Sequence, residues 1–390
     1  MNTPIRSTLQ HSITALLLSI GNSGNLLYIF HRVIKQTPGM VSNRPWKGWI
    51  ADMSIRVGLN GFGRVGRSIV RAAKQTNADM NFVAVNDLYD PKSLATVLKY
   101  DSVHGIYSGE ITLDDDIITV DGDHMKIISE PNPAKLPWDD LDVDVVIEST
   151  GTFRARSDLE KHLEAGAPQV VLTVPAKEPV DATIVMGAND HILTGDEKII
   201  SNASCTTNCA AILAKVVNDA FGISHGYLIT VHAYTMDQRL LDYPHRDMRR
   251  ARSAALSIIP TSTGAAKSVA EVIPDLEGKL DGMAYRVPIP DGSIVDLALE
   301  LEQSVSAEDV DKAFLEASAT NLKGYLQYNE EPLVSVDIIG NRFSAIYDAP
   351  LTRVLRDNFI KVSGWYDNES GYAMRVVDLA QKVVGLRKNR

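Results

Sequence analysis

Ser54-Ile55-Arg56-Val57-Gly58-Leu59-Asn60-Gly61-Phe62-Gly63-Arg64-Val65-Gly66-Arg67 decides how the rest of the chain is read. Ile55, Val57 and Leu59 alternate as a short strand, and the residues after Gly66 carry a helical pattern to about Gln75. Between them Gly61, Gly63 and Gly66 form G-x-G-x-x-G, the fingerprint of a dinucleotide-binding unit when it joins a strand to a helix. The first glycine permits the tight turn, the second lets the backbone approach a pyrophosphate, and the third lets helix and strand pack closely. A second strand, Phe82 to Val85, ends at Asn86-Asp87. A carboxylate there can bind the adenosine ribose hydroxyls and repel a 2′-phosphate, so the predicted cofactor is NAD rather than NADP.

Working outward, the alternation of strand and helix continues. Thr112 to Ile128 reads as two strands around an Asp121-Gly122 hairpin turn. Asp144 to Ile147 is a continuous apolar strand, followed by a helix from Ser157 to Ala165. Val170 to Thr173 and Thr183 to Met186 read as further buried strands, giving an α/β fold with a Rossmann doubly wound parallel sheet. Beyond Cys205 the strands lengthen and alternate: Tyr227–Tyr234, Ala284–Pro288, Ile294–Glu302, Val334–Ile339 and Asn358–Tyr366. With a helix at Ala307 to Ser318, this predicts an α+β catalytic domain on a largely antiparallel sheet. The domains expected are 54–204 for NAD binding, 205–367 for catalysis and 368–390 as a C-terminal helix packing back on the first domain.

At 390 residues the chain is long enough for more than one domain. Its net charge of −10 argues against a nucleic-acid partner bound by charge alone. Two cysteines make no disulfide framework, which points to a reducing, cytoplasmic setting. Residues 1–53 differ from the rest. No Asp or Glu precedes Asp52, and the apolar stretch from Ile13 to Phe30 is broken by Gly21-Asn22-Ser23-Gly24-Asn25, too short a run on either side to span a membrane. An acid-poor N-terminus of this kind has the composition of an organelle transit peptide. Folding and function are expected to begin at Met53, with the preceding residues outside the fold.

The chemistry centres on Ser201-Asn202-Ala203-Ser204-Cys205-Thr206-Thr207-Asn208-Cys209, between the apolar run Lys198-Ile199-Ile200 and the helix-forming Ala210 to Lys215. A lone cysteine is most often a small buried hydrophobe. This one falls at a strand-to-helix turn, where unpaired N–H groups and the helix dipole favour an anion and acidify a thiol. Its neighbours Ser204, Thr206, Thr207 and Asn208 can hold an oxyanion or phosphate. A metal site would need more cysteines than Cys205 and Cys209, so no metal is expected. His232 sits near the end of the next strand and is the candidate base, although a lone strand histidine is usually structural. Arg239, Arg246, Arg249, Arg250 and Arg252 then precede the hydroxyl-rich turn Ile258 to Gly264, a combination suited to phosphate.

Five marks, in order, make the chain similar to the phosphorylating glyceraldehyde-3-phosphate dehydrogenase family from about Ser54 to the C-terminus. They are Asn60-Gly61-Phe62-Gly63-Arg64, Leu98 to Gly105 (LKYDSVHG), Ser204 to Cys209 (SCTTNC), His232-Ala233-Tyr234-Thr235 and Trp365-Tyr366-Asp367-Asn368-Glu369. The resemblance implies Cys205 as nucleophile and His232 as its base. It implies that Arg250, Thr235 and Arg286, with Ser204, Thr206, Thr263 and Gly264, hold the substrate phosphate and inorganic phosphate. Arg64, Val65, Asp87, Thr173 and Asn368 would contact NAD, Asn368 through the nicotinamide carboxamide. The implied reaction is oxidative phosphorylation of D-glyceraldehyde 3-phosphate to 1,3-bisphosphoglycerate through a cysteine hemithioacetal and thioester, in a homotetramer that needs neither nucleic acid nor membrane. Two positions depart from the family pattern: Ser370 stands where Trp is normal, and Pro131 where a basic residue often lies near the adenine. The alternatives are the related erythrose-4-phosphate dehydrogenase and a non-catalytic nucleotide-binding scaffold. The second is disfavoured by the presence of both Cys205 and His232.

Overall fold

A computed structural model of the chain describes residues 54–390, so the reading of residues 1–53 lies outside the described residues. β1 (Ile55–Asn60), α1 (Arg64–Gln75) and β2 (Met80–Asn86) form the opening unit, with β1 and β2 parallel from Ile55 opposite Met80 to Asn60 opposite Asn86. α2 (Pro91–Lys99) starts under an Asp90 cap and leads to the short antiparallel pair β3 (Tyr100–Asp101) and β4 (Gly105–Ile106). Next come β5 (Ile111–Asp114), β6 (Ile117–Val120), β7 (Asp123–Ile128), β8 (Val145–Glu148), α3 (Arg156–Glu164), β9 (Val170–Leu172), β10 (Ala182–Thr183) and β11 (Ile199–Ser201).

Among the described residues these strands make one sheet, in the order β10-β11-β9-β8-β1-β2-β7-β6-β5. It is parallel from β10 to β7 and antiparallel at the β7-β6-β5 edge. That edge holds two successive hairpins where one was expected. Asp121 (φ 48°) and Gly122 (φ 88°) turn the predicted one, and Asp115 (φ 50°) turns a second, because aspartate tolerates the left-handed region. The strand expected over Thr183 to Met186 stops at Thr183. The Val185 N–H is diverted to Asn189 Oδ1 (2.9 Å) and the chain turns at Gly187 (φ 88°), so Ile184 to Met186 are buried without extending the ladder.

The second half begins with α4 (Cys205–Phe221) and β12 (Ile223–Ala233). It continues through β13 (Ile259–Ser262), α5 (Ala265–Val272), β14 (Leu280–Val287), β15 (Ser293–Leu301), α6 (Ala307–Ala319), β16 (Leu326–Asn329), β17 (Ala345–Asp348), β18 (Arg353–Leu355) and β19 (Phe359–Tyr366). Their sheet runs β13-β14-β12-β15-β19-β17-β16, with β18 pairing off β19. It is mostly antiparallel, but β12 and β14 are parallel, as are β16 and β17. α4 packs Ile212, Leu213 and Val217 onto the inward faces of Val295, Leu297, Ile360 and Val362. Fully burying each such side chain is worth about 1.5–3 kcal/mol.

Two expectations fail here. Val334 to Ile339 is no strand: Ser335–Ile338 is a 3₁₀ turn, tied by the Val334 N–H to Asp337 Oδ2 (2.9 Å), with Val334 and Val336 left exposed. Ile259–Ser262, read as part of a hydroxyl-rich turn, is the edge strand β13, where Pro260 leaves no ladder bond unmade on the outer side. The last helix, α7 (Ser370–Lys388), buries Tyr372, Val376, Val377, Ala380, Val383 and Val384 in the same core as Val57, Leu59 and Ile69 of the first sheet. Among the described residues no helix is long and apolar enough to cross a membrane.

Candidate active site

The chain leaves β11 through Ala203, held at φ 54°, a rare conformation for a residue with a Cβ and a common mark of functional turns. That kink starts α4 abruptly. The Ser204 hydroxyl caps it by accepting from the Thr207 N–H (3.0 Å), and Cys205 becomes the first helical residue. Cys205 is partly open to the cleft, whereas Cys209, one turn on, is fully buried with its thiol donating to Gly364 O at 3.6 Å. Burial pushes the Cys209 thiol well up in pKa.

His232 occupies the penultimate position of β12 and brings Nε2 to 3.4 Å from Cys205 Sγ. Its Nδ1 lies 2.7 Å from Ala233 O; an Nδ1–H donating there leaves Nε2 free to accept the thiol proton. Arg286 sits directly opposite His232 across the parallel β12–β14 ladder. Its Nη1 lies 3.0 Å from both His232 Nδ1 and Ala233 O, and 3.4 Å from Thr235 Oγ1. Tyr366 braces the imidazole edge-on at 5.8 Å and joins Thr206 and Thr230 through its hydroxyl (2.8 and 2.9 Å). The Thr206 hydroxyl thus ties Tyr366 to the start of α4.

Burial pushes the Cys205 thiol up; the Arg286 guanidinium and the Thr206 backbone and hydroxyl pull it down without overcoming that. Burial, then Arg286, drive His232 down to about 3. Burial thus works against the acidified thiol expected from the helix start and favours the neutral forms of both thiol and imidazole.

Around this pair the remaining anion-binding candidates fall in separate places. Arg250 reaches Thr261 Oγ1 (3.0 Å) and Ser262 O (3.3 Å) and forms an ion pair with Asp237. It is near enough to His232 to disfavour the imidazolium. Thr263 Oγ1 accepts from the Ala265 N–H (3.2 Å), and Gly264 caps α5 beside open space. Arg286 Nε and Gln238 Nε2 are buried with no partner among the described residues, which is costly unless a ligand pairs them.

The dinucleotide end fits its group. Gly61 holds φ 94°, and a Cβ there would lie 2.6 Å from Thr150 N. One at Gly66 would lie 2.3 Å from Gly61 O, whereas Gly63 faces free space. α1 begins at Gly63 with no side-chain cap, so its first N–H groups are available to a pyrophosphate. Val65 in that first turn is partly buried against the first core. Asp87 ties the turn by accepting from the Phe62 N–H at 2.7 Å. Thr173 is buried and donates to Glu148 O (3.1 Å), and Asn368 Oδ1 accepts from Ser293 Oγ (2.6 Å).

Arg64, expected at NAD, also enters a charged cluster that the sequence did not announce. Arg64 pairs with Glu369 and with Asp101 (3.2 Å), and His104 Nε2 lies 2.9 Å from Glu369 Oε2. The signal was weak because Arg64 and Glu369 are 305 residues apart in the chain.

A dinucleotide-type sheet in one chain with a closely placed cysteine–histidine pair fits the class of thiol-dependent nicotinamide oxidoreductases. Residues 55–156 match the family description "Glyceraldehyde 3-phosphate dehydrogenase, NAD binding domain", and residues 204–368 match "Glyceraldehyde 3-phosphate dehydrogenase, C-terminal domain". The chain is 54% identical over 337 residues to a glyceraldehyde-3-phosphate dehydrogenase of Borreliella burgdorferi, covering 85% of this chain and 100% of the relative. It is 54% identical over 329 residues to glyceraldehyde-3-phosphate dehydrogenase 1 of Bacillus subtilis, covering 84% and 98%. A Geobacillus stearothermophilus glyceraldehyde-3-phosphate dehydrogenase is 53% identical over 329 residues, with 84% and 98% covered. The chain belongs to the glyceraldehyde-3-phosphate dehydrogenase family.

Proposed function

We propose that the chain oxidises D-glyceraldehyde 3-phosphate with NAD and transfers the acyl group to inorganic phosphate, giving 1,3-bisphosphoglycerate. The observation that carries this is the 3.4 Å approach of Cys205 Sγ to His232 Nε2. His232 takes the thiol proton as sulfur attacks the aldehyde carbon and passes it to the carbonyl oxygen, forming a hemithioacetal on Cys205 with the imidazole neutral again. His232 then accepts the hydroxyl proton as that carbon gives up hydride. NAD, when bound, supplies the hydride acceptor. The thioester left on Cys205 is attacked by inorganic phosphate, which expels the thiolate as acyl phosphate leaves.

Arg286, with its unpaired Nε, and Arg250 are the cations proposed to hold the two phosphate groups, together with Ser204, Thr206, Thr235, Thr263 and Gly264. Gly61, Gly63, Arg64, Val65, Gly66, Asp87, Thr173 and Asn368 are proposed to hold NAD. The working units are 54–204, 205–367 and 368–390. We also propose a homotetramer: the arginine-bearing loop exposes Leu240, Leu241, Met248 and Leu256 by 71–82%, more apolar surface than a free loop normally carries. Light scattering that finds only monomer removes that part. For the reaction, NAD reduction is followed with glyceraldehyde 3-phosphate, with and without inorganic phosphate. Strong phosphate dependence is expected; turnover that proceeds equally well without phosphate would point to the hydrolytic relative.

A further inference from the structure

Asp291 lies in the turn between β14 and β15 and is 1% exposed. One carboxyl oxygen accepts from the Gly292 N–H (2.8 Å). The other, Oδ2, is buried with no hydrogen-bond partner among the described residues. The nearest cation, His104 Nε2, stands 3.5 Å away and is already directed at Glu369 Oε2. Carboxyl oxygens of Asp291 and Asp367 and a ring nitrogen of His104 lie within 4.8 Å of one another. Asp367 accepts three backbone hydrogen bonds and keeps room for one more: Oδ1 accepts from the Glu369 and Ser370 N–H groups (2.8 and 2.7 Å), and Oδ2 from the Gly340 N–H alone (2.7 Å). Three backbone donors suit an anion. Ionising a second buried carboxyl beside this one is disfavoured, and Asp291 is the group with an oxygen to spare.

We propose that Asp291 is a positioning residue for cofactor binding: its carboxyl stays neutral and donates to Asp367, fixing the turn Asp367-Asn368-Glu369 that presents Asn368. The proposal rests on the reading of Asn368 as the nicotinamide contact. The groups that face Asp291 are Asp367 and Glu369 from the β19–α7 turn and His104 from the β3–β4 turn. Arg64 and Asp101 lie behind them, paired with Glu369 and with each other. Burial first, then the charges of Asp367 and Glu369, hold the Asp291 carboxyl protonated up to about 9. Burial opposes the His104 imidazolium, but Glu369, Asp367 and Asp101 outweigh it and raise its pKa. Deprotonating Asp291 would therefore put a second anion against Asp367 and loosen the turn.

The test measures NAD affinity against pH for the whole chain, for Asp291→Asn and for Asp291→Ala. Asparagine keeps the shape and a donor but carries no proton to lose. Wild-type affinity is expected to fall as pH rises through about 9, and D291N to stay flat over the same range. D291A is expected to bind about tenfold more weakly at neutral pH. Infrared difference spectra should show the C=O stretch of a buried protonated carboxyl in the wild type and not in D291N. Asn368→Ala separates the two readings: unchanged NAD affinity there, with the Asp291 pH effect intact, refutes the role given to Asn368 and leaves Asp291 acting through the turn's backbone. A wild type with no protonated-carboxyl band and no pH effect overturns the proposal. So does a stoichiometric divalent ion that survives dialysis of the wild type and is lost from D291N.

Discussion

At Cys205 burial and charge pull in opposite directions, and the balance sets how the free protein reacts. Burial raises the thiol, Arg286 and Thr206 lower it, and the neighbouring imidazole stays neutral down to about 3. The thiolate population therefore grows as pH rises, so alkylation of Cys205 should accelerate with pH through neutrality rather than level off in the acid range. Removing the nearest guanidinium with Arg286→Ala should slow alkylation at pH 7, measured by mass spectrometry of the Cys205 peptide. Cys205→Ser should abolish turnover and spare NAD binding, and His232→Asn should cost about 10²–10⁴-fold in rate. A stability prediction follows at Asp291 from the sign of its shift. Its folded pKa is raised to about 9, so its contribution to stability is complete below the unfolded value and is lost as pH rises from there to about 9. D291N should therefore melt higher than the wild type at pH 8 and show a flatter profile. A lower melting temperature at every pH would contradict this.

Among the elements, those that were legible in the sequence announce themselves by chemistry that no tertiary context overrides. The glycine turn is one: a Cβ at Gly66 would meet Gly61 O at 2.3 Å, and that oxygen is main chain and cannot step aside. Gly66→Ala should cost about 1–3 kcal/mol of stability and sharply weaken NAD binding, read by melting and fluorescence titration. The Asp121-Gly122 hairpin and the Ser204-capped α4 were equally readable. The failures share a cause. Val334 to Ile339 alternates like a strand, yet Asp337 claims the Val334 N–H locally and no neighbouring strand competes for it. β17, only Ala345–Asp348, was missed because four buried residues carry no period. β13 was hidden by Pro260, which an edge strand accepts. Of the candidate site, the cysteine, histidine and glycines were legible. The Arg64–Glu369 and Asp291–Asp367 contacts were not, since only folding brings them together. The start of α7 carries a further prediction. Ser370 lines a cavity of about 200 Å³ with Ser68, Arg71, Gln75, His104 and Arg342. The family's usual Trp would fill it, so Ser370→Trp should raise stability by about 0.5–2 kcal/mol in denaturant melts. Destabilisation would mean that the cavity is too polar to take an indole.

Over the whole molecule, the cleft between the two sheets is where function and architecture meet. The second sheet carries His232 and Arg286 on adjacent strands, and α4 brings Cys205 to them from the end of the first sheet. α7 returns to the first core and draws Asn368 and Glu369 toward Arg64 and His104. Nucleophile, base and proposed cofactor contact thus come from three segments far apart in the chain. The central claim is that Cys205 carries the acyl group between oxidation and phosphate transfer. The most direct measurement mixes the chain with NAD and glyceraldehyde 3-phosphate in the absence of inorganic phosphate, quenches in acid and maps covalent mass by peptide mass spectrometry. The account predicts acylation confined to the peptide's Cys205, cleared when phosphate is added before the quench. Acylation at Cys209, or NAD reduction with no covalent adduct on either cysteine, would contradict it.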